Sequence, residues 1–323
     1  MDATAPDPDE TACPPAPEWS CASNGGGSDP VCLCQPSGAE VCDGHDNDCN
    51  GVVDDVDCPE LFGTPSGPIA DMELGPEVLV LLTDKTIETL PLAGGSPVTT
   101  LRSDIMGSPA IAVNSTSIFW IQGQMHQMGF TGLAQPDIAL KGSAPYGEIA
   151  VNDTTQYYRD PSLVWKSPPY KWANAPGGGP LLVAKTVLFW AAGTKIYRSD
   201  ATALDPNTQA VLVTNLVGPV FFATDGSGFF WADATGAINR ALSPQFIVTN
   251  VLMGEPGISG LAVDADNIYW STSDSLTSVL WKVPLLGGAK TKIGGVTGVA
   301  HHLIPSGNHL YFENGKLVWR VPT

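Results

Sequence analysis

Residues 46–57 read DNDCNGVVDDVD, a run of oxygen-bearing side chains spaced for a hard divalent cation. Calcium takes six to eight oxygen ligands. Counting from the first residue, Asp46, Asp48, Asn50, Asp54 and Asp57 stand at positions 1, 3, 5, 9 and 12, and the Val52 carbonyl stands at position 7. Gly51 at position 6 permits the tight turn that such a loop requires. Position 12 is Asp rather than Glu, so its reach toward the ion is shorter. Carboxylates this close together repel one another without a cation, and residues 1–60 contain no Lys or Arg to offset them. The pattern points to structural Ca²⁺; the competing reading is an ion-free acidic loop tied by disulfides. Copper or zinc fits less well, because only His45 and cysteines expected to be oxidised are at hand.

The rest of the chain offers weaker chemistry. It contains no G-x-S-x-G, H-E-x-x-H or P-loop motif. His301 and His302 are the best catalytic candidates among five histidines. Neighbours along a strand point to opposite faces, so at most one of the pair is expected at a given site. A packed structural histidine is the plainer reading of both. Lys166, Arg198, Arg240, Lys282 and Arg320 recur at equivalent places; a repeated structural contact, with the stem packed and the charge in water, explains them better than an anion-reading ring. Tyr170 and Trp172 lie in SPPYKWANAPGGGP, residues 167–180, a segment whose composition predicts a loop carrying an exposed aromatic patch for a ligand.

The elements that must position these residues are repeats. An aromatic strand recurs as SIFWIQ (117–122), TQYYRD (155–160), VLFWAA (187–192), GFFWAD (228–233), NIYWST (267–272) and HLYFEN (309–314), with a weaker copy, EVLVLL, at 77–82. Its central positions, Leu81, Trp120, Tyr158, Trp190, Trp231, Trp270 and Phe312, are 39, 38, 32, 41, 39 and 42 residues apart. A further strand phrase follows most copies, as in LVWK at 163–166 and VLWK at 279–282. LPLAGGSPVTTL at 90–101 repeats VPLLGGAKTKIG at 283–294. A period near 40 with four short strands per unit predicts an all-β fold, a β-propeller of seven four-stranded blades, with six as the alternative. The last copy ends after its third strand, so a segment within residues 60–74 is expected to complete it. The predicted organisation is an acidic Cys-rich head over 1–60, a linker over 61–69 and a propeller over 70–323.

Charge separates the two parts. The 323-residue chain carries a net charge of −18, yet 14 of its 33 acids fall in residues 1–60. No basic patch exists to neutralise phosphates, which argues against nucleic-acid binding, and no apolar run is long enough to span a bilayer as a helix. Cys13, Cys21, Cys32, Cys34, Cys42, Cys49 and Cys58 all lie in the head and read as a disulfide framework of an oxidising compartment, with one cysteine unpaired or bonded between molecules. The N-terminus shows no leader-like charged and apolar stretch, as expected of a mature secreted segment.

The propeller repeats resemble the TolB-like and streptogramin-lyase-like propellers of secreted bacterial proteins, whose repeats follow a phrase close to AVDxxxIYWxxxxxxxVxKVPLxGG. Residues 40–54 are similar to the metal-binding motif E-x-C-D-G-x-D-N-D-C-(D/N)-G-x-x-D of bacterial surface proteins of the MopE type, and the acidic stretch followed by Cys58-Pro59 is similar to the calcium loops of thrombospondin type 3 repeats. These resemblances imply an extracellular or bacterial outer-membrane-surface location. The reading from sequence is a non-enzymatic recognition or scaffolding propeller for a protein or glycan ligand. One alternative is a propeller lyase or hydrolase acting through the central face with His301 or His302. Another is a subunit of an extracellular assembly, associating through the odd cysteine or a sheet edge.

Overall fold

The computed structural model describes residues 19–22, 31–34 and 58–323, apart from Pro109, Ser143, Pro169, 204–208 and Ser275. In the head, Trp19–Ala22 and Val31–Cys34 pair as an antiparallel hairpin with Cys21 opposite Cys32. The proposed cation ligands Asp46 to Asp57, and Cys13, Cys42 and Cys49, lie outside the described residues. Cys58 is disulfide-bonded.

From Glu60 onward the chain forms a seven-bladed β-propeller of antiparallel sheets. Blades I and III to VI run over Ile69–Arg102, Ile149–Asn174, Leu181–Val213, Pro219–Leu252 and Ile258–Thr297, each with four strands in chain order. Blade II has three, Ile111–Val113, Ser117–Gln122 and Gln124–Gly129, and its outer position is taken by isolated bridges from Met125 to Ile138 and Met128 to Ala134. Blade VII takes three strands from the C-terminal end, within His301–Pro322, and its fourth from Glu60–Gly63. Residues 60–63 therefore belong to the ring, and the linker expected over 61–69 is replaced by this closing strand and a short connection into blade I. Arg320 fastens the closure with two hydrogen bonds to Glu60 Oε2, of 2.9 and 2.7 Å.

Every central position of the repeat falls on the second strand of its blade and is buried: Leu81, Trp120, Tyr158, Trp190, Trp231, Trp270 and Phe312. Alternation along the strand decides what they touch. In blade I, Leu79 and Leu81 face blade VII, whereas Val80 and Leu82 face blade II. The core accordingly consists of seven apolar wedges, one between each pair of adjacent blades, the last joining blade VII to blade I. A single blade cannot cover both of its faces, and closing the ring covers all of them. One glycine serves this packing directly: Gly95 has φ +70°, and a Cβ there would stand 2.3 Å from the Phe62 carbonyl oxygen of the closing strand.

The Lys/Arg column also works between blades. Lys166 Nζ donates to the carbonyls of Ala201 and Ala203 in blade IV, at 3.0 and 2.7 Å. Arg198 lies over the Phe246 ring of blade V, and Arg240 donates to the Leu285 carbonyl of blade VI. Three of the five positions thus make a structural contact to the next blade, and the Lys166 head is buried rather than in water. Asn114, Asp225 and Asp264 cap turns, each accepting backbone N–H groups two and three residues on. Asp153 differs, accepting instead from Ser115 of blade II.

The innermost and third strands run one way and the others run back. Loops between blades, and loops from second to third strands, therefore gather at the end of the ring where the innermost strands begin, the entry end. The remaining loops gather at the exit end.

Candidate functional site

The innermost strands enclose a central channel with a cavity of about 840 Å³. Its wall mixes apolar side chains, from strands such as Ile111–Val113 and Leu181–Ala184, with polar groups in about equal measure. Its ionisable groups are Asp71 and Glu73 from blade I, Glu148 at the start of blade III, and the His301–His302 pair of blade VII; no Lys or Arg lines it. Asp71 and Glu73 reach the same wall because they stand two apart on one strand.

His301 and His302 both line the channel, against the expectation that only one would. The register between blade VII's first two strands shifts between His301 and Ile304, and His302 takes φ +48°. This bulge cancels the usual alternation. The two rings then tie blade VII to both neighbours. His301 donates Nδ1–H to the Ser259 carbonyl of blade VI at 3.1 Å. His302 places Nδ1 3.0 Å from Glu313 Oε1 and Nε2 3.5 Å from Asp71 Oδ1. Asp71 in turn accepts from Ile111 N of blade II at 2.9 Å and from Met72 N at 2.8 Å. Glu313 also accepts from Gly315 N. One imidazole thus bridges two carboxylates across the seam where the ring closes.

Electrostatics follow from this crowding. Burial works against the charged form of His302, but the Glu313 hydrogen bond and the charges of Asp71, Glu313 and Glu73 outweigh it and raise its pKa. Burial raises Asp71 more than His302 and its two backbone donors lower it. Glu73 is pushed up to about 8, first by burial and then by the charge on Asp71, with Glu148 adding and His302 opposing. Glu148 is raised by burial and Asp71, against the pull of Arg159 and His302. The site is an acidic cluster around one imidazole, hydrogen-bonded to Glu313 through Nδ1 and with Nε2 facing Asp71. Among the described residues no group of three or more His, Cys, Asp or Glu is arranged to hold a metal ion.

The expected aromatic patch is not on a loop. Tyr170–Asn174 is the outermost strand of blade III, and Trp172 is 1% exposed, packed in the wedge between blades III and IV under the Lys166 ammonium, 4.5 Å from its ring. Exposed apolar side chains occur elsewhere. Met106, Val217 and Met253 lie in connections between blades, and Leu276 in the second-to-third-strand loop of blade VI; they are 74%, 56%, 76% and 73% exposed. All four stand at the entry end, where the acidic cluster also opens. Sequence reasoning missed Asp71, Glu73, Glu148 and Glu313, which match no motif. The available signal was the acid-x-acid alternation of IADMELG, because the corresponding innermost strands of blades II to V are apolar.

No family model matches the chain, and no curated protein matches it. Solved structures do. The RRP9 WD40 repeats match with a TM-score of 0.60 at 12% identity over 82% of this chain and 97% of that one. A chain of the Mitotic Checkpoint Complex matches with a TM-score of 0.60 at 12% identity, covering 83% and 93%. BamB from Moraxella catarrhalis matches with a TM-score of 0.50 at 14% identity, covering 79% and 85%. At these identities the likeness is one of fold. Among the described residues no helix is long and apolar enough to cross a membrane.

Proposed function

We propose that the protein is a non-enzymatic recognition propeller that binds a protein partner with the entry end of its ring. The observation that carries this reading is the placement of Met106, Val217, Met253 and Leu276 on loops of that end, around a channel mouth lined by carboxylates. Exposed apolar groups rimmed by polar ones suit protein association. Burial of Trp172 removes the best sugar-stacking candidate, which favours protein over glycan. The occurrence of a similar propeller chain in the Mitotic Checkpoint Complex fits a scaffold role. His302, with both nitrogens engaged by carboxylates, is poorly placed as a free base, which weighs against the lyase or hydrolase reading. In this proposal the head is a structural Ca²⁺ module formed by Asp46, Asp48, Asn50, Val52, Asp54 and Asp57, and the protein is secreted or surface-displayed.

The test is binding of the full chain to arrays of extracellular proteins and glycans. Burying each apolar side chain contributes about 1.5–3 kcal/mol, so the double variant Met106→Asp, Leu276→Asp should bind at least about tenfold more weakly. Leu133→Asp, at the exit end, should bind normally. Glycan-only binding, or equal loss in both variants, would overturn the proposal.

A further inference from the structure

The channel holds acceptors that the protein itself does not satisfy. Asp71 and Glu313 are supplied with donors, Asp71 by Ile111 N and Met72 N, and Glu313 by Gly315 N and His302. Glu73 and Glu148 line the cavity too, and no described residue donates a hydrogen bond to either carboxylate. His301, also on the wall, spends Nδ1–H on the Ser259 carbonyl and leaves Nε2 as an acceptor with no described partner. Burial is the largest cause of the raised pKa of Glu73, so this carboxylate has lost part of its water without gaining a protein donor. Glu148, just before the innermost strand of blade III, stands nearer the mouth and is exposed. A desolvated polar group is costly unless something else supplies its donors.

The missing donors have a definite chemistry. No Lys or Arg lines the cavity, and among the described residues no three His, Cys, Asp or Glu are arranged to hold one metal ion. Acceptors set apart in this way suit a cation that carries several N–H groups on a narrow stem. The wall also includes Ala112, Val151 and Leu181, which suit the methylenes of such a stem. At about 840 Å³ the cavity lies within the range of about 300–1,000 Å³ usual for ligand sites. We infer that the channel mouth receives a lysine or arginine side chain of the protein partner, its head turned to Glu73, Glu148 and His301 Nε2. This rests on the reading that the entry end binds a protein, and the source of the cation follows from it. Met106, Val217, Met253 and Leu276 lie exposed around the mouth and would stay in water if the occupant were a free small cation. Charge complementarity thus fixes one residue type of the partner, and the apolar rim fixes its setting.

The probe is n-butylguanidinium, an arginine side chain without its backbone, titrated into the full chain at pH 9 and followed by ligand-observed NMR, with n-butyramide as the uncharged control. Saturable binding of the cation alone is expected. In Glu73→Gln and in Glu148→Gln, each checked for folding by its melt, binding should fall at least about fivefold, the loss of one partly wet charge pair. Leu133→Asp should bind as wild type does. At pH 6 binding should also be at least about fivefold weaker, because Glu73, raised to about 8, then holds a proton that competes with the cation. The groups around Glu73 are Asp71, Glu148, His301 and His302, with Arg159 acting on Glu148 and Glu313 behind His302. Asp71, Glu148 and His302 are all raised, so their protons oppose the cation in the same direction as pH falls. The double variant Glu73→Gln, Glu148→Gln should lose at least about tenfold in affinity for any protein that the arrays identify. No saturable binding at pH 9, equal binding of n-butyramide, or binding indifferent to both carboxylates would overturn the inference and leave the entry-end reading standing. Uptake of n-butylguanidinium with no protein bound on the arrays would overturn that reading, and with it the protein source of the cation.

Discussion

Replacing His302 by Gln should loosen the ring at the seam between blades VII and I, and should do so more at acidic than at alkaline pH. His302 is 34% exposed, but its partner Glu313 is only 2% exposed. A hydrogen bond to a charged group contributes about 1.5–3 kcal/mol, and losing it leaves the Glu313 carboxylate with Gly315 N as its one remaining donor on this side. The longer Asp71 contact, at 3.5 Å and partly wet, adds at most about 1 kcal/mol. The sum, about 2–3 kcal/mol, corresponds to a fall in Tm of roughly 5–8 °C for a domain of this size. The pH dependence has a definite sign. The folded pKa of His302 is raised above its unfolded value, so its contribution is complete below about pH 6.5 and is lost as pH rises through the folded value. Thermal melts of the wild type and His302→Gln at pH 6 and pH 9.5, followed by tryptophan fluorescence, measure this directly. The gap between the two proteins should narrow at the higher pH. An equal gap at both values, or no gap at pH 6, would refute the bridging role.

The other expectations concern neighbouring parts of the same framework. Glu73, raised to about 8, binds a proton more tightly folded than unfolded, so its stabilising share is present below about pH 4.5 and disappears as pH climbs toward 8; Glu73→Gln should melt higher than wild type at pH 8.5 and match it near pH 5. Trp172→Ala should cost about 3–5 kcal/mol in urea unfolding, as for a large core side chain, whereas a surface aromatic would cost almost nothing. Arg240→Met keeps the packing stem but removes the bond to Leu285, and should cost about 1–2 kcal/mol without changing the far-ultraviolet spectrum. Calorimetry on the disulfide-intact chain should register Ca²⁺ binding that Asp46→Asn with Asp48→Asn abolishes while the propeller's melt is unchanged.

The ring itself was readable because its signal is periodic. Seven aromatic or branched centres spaced near 40 residues fixed the second strands, and with them the wedges, since alternation assigns each neighbour to one side or the other. The missing fourth strand of blade VII was readable from the place where the last repeat stops. What escaped was local. A Pro/Gly-rich composition at 167–180 hid a strand, because Trp172 gains more from the wedge between blades than the flanking turns cost. The strand rule that separates His301 from His302 failed because a bulge is a feature of pairing, and pairing is settled by the partner strand. Asp71, Glu148 and Glu313 come from three distant parts of the chain and meet only when the ring closes, so no spacing announces them.

The most direct test of the recognition account is site-specific photo-cross-linking in the protein's native setting, with a photoreactive side chain placed in turn at Met106, Leu276 and, as control, Leu133. The account predicts one protein partner captured from both entry-end positions and not from the exit-end control. Capture from Leu133 alone, or equal capture from all three, would contradict it.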